Sequence, residues 1–440
     1  MQSLNISHLK QRPCFLADLH IHSRYSRATS PEMHPAAINR VAKEKGIQVM
    51  ATGDITHPQY LKELKNELEP AEEGLFVCKD DLKGTRFLLT AEVSNIFSQG
   101  GKGRRIHTLI LMPSLKAAER LQAQLAKLGN ITSDGRPMLG FSVKQLVRIV
   151  MNISEDCMVI PAHAWTPWFS VFGSKSGFDS IEECFEEESG HIYALETGLS
   201  SDPLMNRRLS TLDKYTLISN SDAHSPAKLG REANIFSCPM TYQDIIKAIK
   251  QPAHGLEGTI EFFPEEGKYH YDGHRDCGVL LSPEQTRKLN GICPVCHRPL
   301  TLGVAYRVEE LADRTEETAR EILRLFHFDT KIRPYISLVP LQELLAEAMQ
   351  MGEGSARVRK EYQRLVQMGG SEMDILLWKD EKELEAFLPE AVLRGIQNMR
   401  AGMVQIRPGY DGVYGEVRLL SEIKDTVEPK GAEPFQQRLF

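Results

Sequence analysis

A chain of 440 residues with 41% hydrophobic and 25% charged residues exceeds one small core and asks for two or three domains, at roughly 100–200 residues each. No apolar run approaches the ~20 residues of a membrane span, and MQSLNISHLKQRP lacks the order of a secretory signal, so a cytoplasmic protein with reduced cysteines is expected. A net charge of −6 excludes a basic whole-protein signal for nucleic acid and leaves local stretches only, Lys102, Arg104 and Arg105, then Arg275, Arg287, Lys288, Arg298 and Arg307.

From Phe15 to about Phe236, seven apolar or β-branched runs read as strands: FLADLHIH, IQVMATGD, RFLLTAEVS, IHTLILM, CMVIPAHA, IYALET and YTLISNSDAH. Amphipathic stretches at 35–45, 114–128, 142–153 and 203–213 lie between most of them. Strands alternating with helices predict a parallel α/β sheet or barrel, with the active site at the C-terminal ends of its strands. The region 255–307 is rich in Gly, aromatic residues and Cys and has little helical periodicity, which predicts a small separate module. Charged amphipathic segments at 314–326, 341–350, 356–368 and 389–400 predict a helical domain. After Glu422 the run KDTVEPKGAEPFQQRLF carries proline and glycine breaks and predicts a flexible tail. The expected organisation is an α/β barrel over 1–250, a zinc-binding module over 251–307, a helical domain over 308–422 and a tail over 423–440.

Chemistry-bearing residues mark the ends of these strands. His20 and His22 in ADLHIHS are two apart, so an extended backbone turns both imidazoles to one face, and Asp222 and His224 in SNSDAH repeat the geometry. Between the pairs lie Asp54 and His57 in TGDITH, Glu92 in TAEVS, His107 in RIHTLIL and His163 in PAHAW. One histidine in a strand is more often a hydrogen-bonded core or surface group than a ligand. Imidazoles and carboxylates at the ends of most successive strands argue instead for two or three divalent ions, Zn, Mn or Mg, since so many polar groups cost too much to desolvate unused.

The order HxH, TGD, Glu, His, His and DxH resembles the PHP family, named for polymerase and histidinol phosphatase. The resemblance implies a distorted (β/α)₇ barrel with a multi-metal site acting on phosphate esters. By position it implies His20, His22, Glu92 and Asp222 around one ion, Glu92, His107 and His163 around a second, and His224 with the Asp54 segment around a third. The usual Asp-His pair appears here as Gly-Asp with His57 three residues on, so either Asp54 or His57 completes that third set. Asp222 and Asp54 are the candidate catalytic carboxylates.

Three further motifs follow. His274, Cys277, Cys293 and Cys296 read HxxC, then CPVC, the spacing of a structural zinc ribbon, with His270 or His297 as substitutes for His274. Trp165, Trp168 and Phe169 follow His163 and either stack on a nucleotide or pack a loop on the barrel. The terminal Gln436, Leu439 and Phe440 resemble the QxxLF peptide by which bacterial replication and repair proteins bind the β sliding clamp. With YHYDGHRDCGV and the helical domain, the whole resembles the endonuclease Q family. That implies a monomeric DNA-repair enzyme incising 5′ to deaminated bases (uracil, hypoxanthine, xanthine) or abasic sites. The rivals are a small-molecule phosphatase of the histidinol-phosphatase kind and a non-catalytic DNA-binding or replisome protein.

Overall fold

The computed structural model describes residues 9–10, 12–325 and 330–420. In chain order its first strands are β1 (Phe15–Asp18), β2 (Val49–Ala51), β3 (Leu68–Pro70), β4 (Leu75–Cys78), β5 (Arg86–Gln99), β6 (Lys102–Met112), β7 (Met138–Leu139) and β8 (Met158–Pro161). They are followed by β9 (Ala194–Glu196), β10 (Thr216–Ile218), β11 (Ala233–Phe236), β12 (Leu256–Glu261), β13 (Asp272–His274), β14 (Val279–Leu281) and β15 (Tyr335–Ser337). Among the described residues eleven of these share one sheet, with the path β15-β12-β11-β1-β2-β5-β4-β3, with β6 and β7 branching from β5 and with β8 on the far side of β6.

The fold is mixed α/β, and the sheet is not the parallel one expected. β1, β2 and β5 run parallel, as helices between them require. β5 and β6 instead form a long antiparallel hairpin from Leu89↔Met112 to Gln99↔Lys102. Its turn is Gly100 and Gly101, both at positive φ (60° and 72°), and a two-residue link can only reverse the chain, whereas a parallel pair needs a crossover of a dozen residues. β8 then pairs antiparallel with β6, and β11 antiparallel with β1. β9 and β10 form a parallel pair of their own. They meet their neighbours through Ala164 N to Glu196 O at 2.9 Å, His22 N to Ala223 O at 3.0 Å and Leu19 N to Asn220 Oδ1 at 2.8 Å.

The helices that cover the sheet follow their sequence pattern. In Val143–Ile153 the buried residues are Val143, Leu146, Val147, Val150 and Ile153, one stripe at helical spacing, and Ser142 Oγ caps the N-terminus by accepting from Gln145 N. Pro35–Lys45 begins on proline and stops at Gly46 with φ 84°, where a Cβ would lie 2.4 Å from Ser371 Oγ. Beside that close approach Lys45 Nζ meets Glu372 at 2.6 Å with both side chains buried, while Tyr362 Oη and Leu341 N also donate to Glu372. A fully partnered buried pair therefore locks the first helix of the α/β region to the helical region.

Helices Glu316–Arg324, Leu341–Met349, Ala356–Gly369 and Glu390–Ala401 occupy the stretches that the periodicity marked. The sheet, however, continues past residue 250. β12 pairs with β11 on one side and, in parallel, with β15 from inside the predicted helical segment on the other. No helix among the described residues is long and apolar enough to cross a membrane. Gln436, Leu439 and Phe440 lie outside the described residues.

Candidate active site

Among the described residues two candidate ligand sets converge just past the ends of β1, β8 and β10 and at the middle of the β5–β6 hairpin: His20, His22, Glu92 and Asp222, and Glu92, His107 and His163, with the donor atoms of each set within 4.8 Å of one another. His22 Nε2 lies 3.2 Å from Glu92 Oε2 and 3.1 Å from Asp222 Oδ1, and His20 Nε2 lies 3.7 and 3.8 Å from the same two oxygens. Yet His20 Nε2, His22 Nε2 and Asp222 Oδ1 are buried without a hydrogen bond. Atoms this close that do not bond in pairs point at a common centre, and a mixed imidazole and carboxylate donor set fits a divalent ion there. On the other side of Glu92, His107 Nδ1 is 2.8 Å and His163 Nε2 3.0 Å from Oε1. Glu92 is therefore common to both sets.

The cluster's charges act on one another: against burial, Glu196 and Glu92 raise His20, and Asp54, Asp222 and Glu92 raise His22, well above the usual imidazole range. Burial raises the Glu92 carboxyl, but His107, Arg136 and His20 outweigh it and hold the group well below the usual range. His107 is pushed down to about 4, mainly by burial, which leaves a neutral imidazole with a lone pair to offer.

Behind the imidazoles stands a row of orienting groups. Glu196, at the end of β9, lies 3.0 and 3.1 Å from His20 Nδ1 through its two oxygens, and it also accepts from His163 N and Asn220 Nδ2. Asp54 Oδ1 is 3.1 Å from His22 Nδ1, while its Oδ2 accepts from Ser23 N, Ser23 Oγ and Ser26 Oγ. Thr166 Oγ1 is 3.1 Å from His163 Nδ1. Fixing Nδ1 in this way fixes the ring and leaves Nε2 for an ion.

Asp54, His163 and Asp222 hold φ of 46°, 30° and 46°, a left-handed backbone that non-glycine residues keep only where their surroundings over-determine it. Gly198 makes room for one of them, since a Cβ there would come within 2.6 Å of His163 Cβ.

The structure places several of the expected residues outside these two sets. Asp54 is not among the converging atoms: its Oδ1 faces His22 and its Oδ2 is engaged by Ser23 and Ser26. His57 does not replace it: its Nδ1 caps helix Pro58–Glu67 through Tyr60 N, and its Nε2 faces Thr132 O at 3.1 Å. His224 lies outside both sets, its Nδ1 2.8 Å from the Asp222 carbonyl and its ring 4.5 Å from that of His22. Trp165 is buried, stacked on Phe172 and donating from Nε1 to Asn206, which makes it core. Phe169 packs on His107 at 4.6 Å.

Trp168 is exposed and, with Pro167, Lys268, Tyr269 and Pro264, lines a cavity of about 240 Å³ beside the His163 turn. Arg104, expected on a basic surface, is buried against Phe178, and Arg307 is tied to the 172–179 loop through Phe172 O and Phe178 O. Sequence reasoning missed Glu196 and Arg136. The first ends a strand in IYALETG as Glu92 sits in a strand in TAEVS, a usable signal, whereas nothing local marks Arg136 in a loop.

In a third candidate set, His274, Cys277, Cys293 and Cys296, the donor atoms also lie within 4.8 Å of one another. The β13–β14 hairpin carries the first two residues, and the CPVC turn, closed by Cys293 N to Arg298 O and His297 N to Cys293 O, carries the others. His274 Nδ1 is 3.9 Å from Cys296 Sγ. Neither substitute joins the set: His270 is buried and stacked on Tyr271, and His297 is exposed.

Comparison with known proteins follows this geometry. A family model for the MJ0043 C-terminal domain matches residues 340–403. The uncharacterized protein MJ0043 of Methanocaldococcus jannaschii is 32% identical over 264 residues, 58% of this chain, and the chain spans only 31% of that protein's length. The solved structure of PfuEndoQ, a lesion-specific endonuclease from Pyrococcus furiosus, is similar at TM-score 0.80 and 31% identity over 94% of this chain and 98% of that one. Endonuclease Q in complex with a 27-mer duplex bearing an abasic lesion at the active site is similar at TM-score 0.79 and 31% identity, over 94% of this chain and 100% of that one.

Proposed function

The chain belongs to the endonuclease Q family, and from that premise we propose that this DNA-cleaving hydrolase repairs DNA by incising 5′ to deaminated bases (uracil, hypoxanthine, xanthine) and abasic sites. The observation that carries the reading is the position of Glu92 between two ligand sets at one mouth. A shared carboxylate flanked by imidazoles suits paired divalent ions, Zn, Mn or Mg, on one phosphodiester. When bound, such ions supply hydroxide near neutral pH and neutralise charge on the attacking and leaving oxygens. His20, His22 and Asp222 would hold one ion and His107 and His163 the other, with Glu92 common to both.

The chain's own residues do the rest. Glu196 and Asp54 keep the His20 and His22 rings turned inward, and the strained backbone at Asp222 and His163 presents their side chains without a search for conformation. In this reading β1, β2, β5, β6, β8, β9 and β10 form the distorted seven-stranded barrel around the mouth. The cavity beside Trp168 takes the extruded nucleotide, whose flipping costs roughly a few kcal/mol and least for a mispaired base. His274, Cys277, Cys293 and Cys296 hold one structural zinc. Gln436, Leu439 and Phe440 form the peptide for a bacterial sliding clamp.

The test is incubation with a uracil-containing duplex and, separately, with a phosphomonoester, each with a divalent metal. Nicking on the 5′ side of uracil supports the reading. Phosphate release without nicking would make the protein a phosphatase, and inertness toward both would make it a binding protein. For the tail, Leu439→Ala with Phe440→Ala should abolish clamp binding measured by calorimetry and leave incision of a short oligonucleotide unchanged; unchanged clamp affinity would discard the peptide.

A further inference from the structure

Arg136 has no place in the ligand sets, yet it enters the mouth. Its loop is pinned from several sides: Gly135 N donates to Tyr25 O at 2.9 Å, Thr56 Oγ1 to Gly135 O at 3.2 Å, and Arg136 N to Asp134 Oδ1 at 3.1 Å. A Cβ on Gly135 would lie 2.4 Å from Asp54 Oδ2, so the loop rests directly on the carboxylate behind His22. From this support the guanidinium reaches Glu92, with Nη1 donating to Oε2 at 2.9 Å. That is its only side-chain hydrogen bond among the described residues, and the side chain keeps 26% of its surface exposed at the mouth.

The oxygen it grips is the contested one. Glu92 Oε2 is also the atom 3.2 Å from His22 Nε2 and 3.7 Å from His20 Nε2, so an ion held by that set would share this oxygen with Arg136. A guanidinium cannot give up its charge, and a permanent cation beside divalent ions is repelled unless an anion joins them. The anion that reaches this mouth on DNA is a backbone phosphate, whose oxygens match the planar fork of arginine.

The geometry points to Arg136 as a phosphate-contacting catalytic residue: it holds Glu92 Oε2 in the free protein, yields that oxygen when an ion binds, and turns its fork onto a non-bridging oxygen of the phosphodiester. The inference rests on the mouth being a phosphodiester site, and it differs from the simpler role of a prop that keeps Glu92 in place. A prop would strengthen ion binding. A competitor that moves to phosphate weakens ion binding and strengthens phosphate binding.

Three measurements on wild type, Arg136→Ala, Arg136→Gln and Arg136→Lys separate these, with circular dichroism confirming the fold of each variant. In titrations of Mn²⁺ without DNA, Arg136→Ala and Arg136→Gln should bind at least as tightly as wild type; a tenfold loss would overturn the proposal in favour of a prop. With inorganic phosphate as the probe on Mn²⁺-loaded protein, affinity should fall about tenfold or more in Ala and Gln and recover in part in Lys; unchanged phosphate affinity would also overturn it. Single-turnover incision of a uracil duplex should fall about 10²–10³-fold in Ala, in kcat more than in KM. If wild type itself fails to nick, the DNA substrate is wrong, and the Mn²⁺ and phosphate titrations still decide the role of Arg136.

Discussion

The mouth and the Cys-rich module gather candidate metal ligands in opposite ways. At the mouth the donors come from residue 20 to residue 222, they are almost all buried, and each of His20, His22 and His163 has a partner behind it in Glu196, Asp54 or Thr166. In the module all four donors fall between residues 274 and 296, on turns, around a core of Val279, Cys293 and Leu300. The crowded module thiols also influence one another: Cys296, helped by a bond from the Arg298 backbone, is lowered to about 7, while Cys277 is pushed up to about 11 by partial desolvation and its neighbours. The lesson is one of cause. A large core builds the first site and would persist without ions, whereas a three-residue core cannot pay the ordering entropy of the module, so there the proposed zinc would build the fold.

Substitutions of single ligands should separate the two most sharply. His20→Ala or Asp222→Ala should lower incision by about 10³-fold or more while shifting the melting temperature by only a few degrees, because the surrounding sheet stays packed. Calorimetry alongside a nicking assay checks this, and unfolding in step with the loss of activity would break the contrast. Cys293→Ser should do the reverse. It should remove about one equivalent of chelation-resistant zinc, open residues 272–301 to proteolysis and weaken DNA binding, with the α/β region still melting as in wild type. Zinc content equal to wild type by elemental analysis would end the ribbon reading.

How far each region could be read from sequence follows the same division. The module's donors are neighbours in the chain, so spacing alone brings Cys277, Cys293 and Cys296 together. At the mouth, donors just past the ends of strands were legible because strand ends collect on one side of a sheet, and His20, His22, His163 and Asp222 lie there, whereas Glu92 and His107 sit in mid-strand because the β5–β6 hairpin runs on past the mouth. What spacing does not carry is the direction of a side chain. Asp54 and Glu196 are equal in the sequence, each a carboxylate at a strand end, and both prove to stand behind a ring rather than in front of it. His57 is three residues from Asp54 and becomes a helix cap, because the following Pro58 starts a helix at once. The β5–β6 hairpin hid in the pattern because two strands of a parallel and an antiparallel pair look alike until the turn is read, and Gly100-Gly101 was that turn.

A smaller effect is expected from the orienting groups behind the imidazoles of the mouth; in the module His274 Nδ1 instead faces another candidate ligand, Cys296, at 3.9 Å. Glu196→Gln keeps the shape and most of the hydrogen bonds but removes the charge that steadies His20. Ion affinity at the mouth should weaken by roughly 10–100-fold with little change in melting temperature, and excess metal should restore much of the incision. Titration of Mn²⁺ reads the first quantity. Wild-type affinity would mean that the His20 ring is held by packing alone.

The least effect on incision, none, is expected from a pair of carboxylates buried beyond the site. Glu261 is pushed up to about 8 by burial, against the hydroxyls of Thr197, Ser219 and Thr259, which donate to it, and with Asp202 nearby adding to the rise. Glu232 is raised well above its usual range by burial and by Glu261. The two titrate as a pair, which holds a proton in the folded protein that the unfolded chain has lost above about pH 4.5. Between that pH and about 8 the folded state binds more protons than the unfolded state, so this part of the stability is full at low pH and declines as pH rises through the window, by on the order of a few kcal/mol. Glu261→Gln supplies a neutral side chain of the same shape at every pH. Its melting temperature should therefore match wild type near pH 5 and exceed it by a few degrees at pH 9, while incision and zinc content stay the same. Parallel melting curves for the two proteins from pH 5 to 9 would show that the pair is already ionised in the fold, and the pH response of the α/β region would then have to come from the mouth itself.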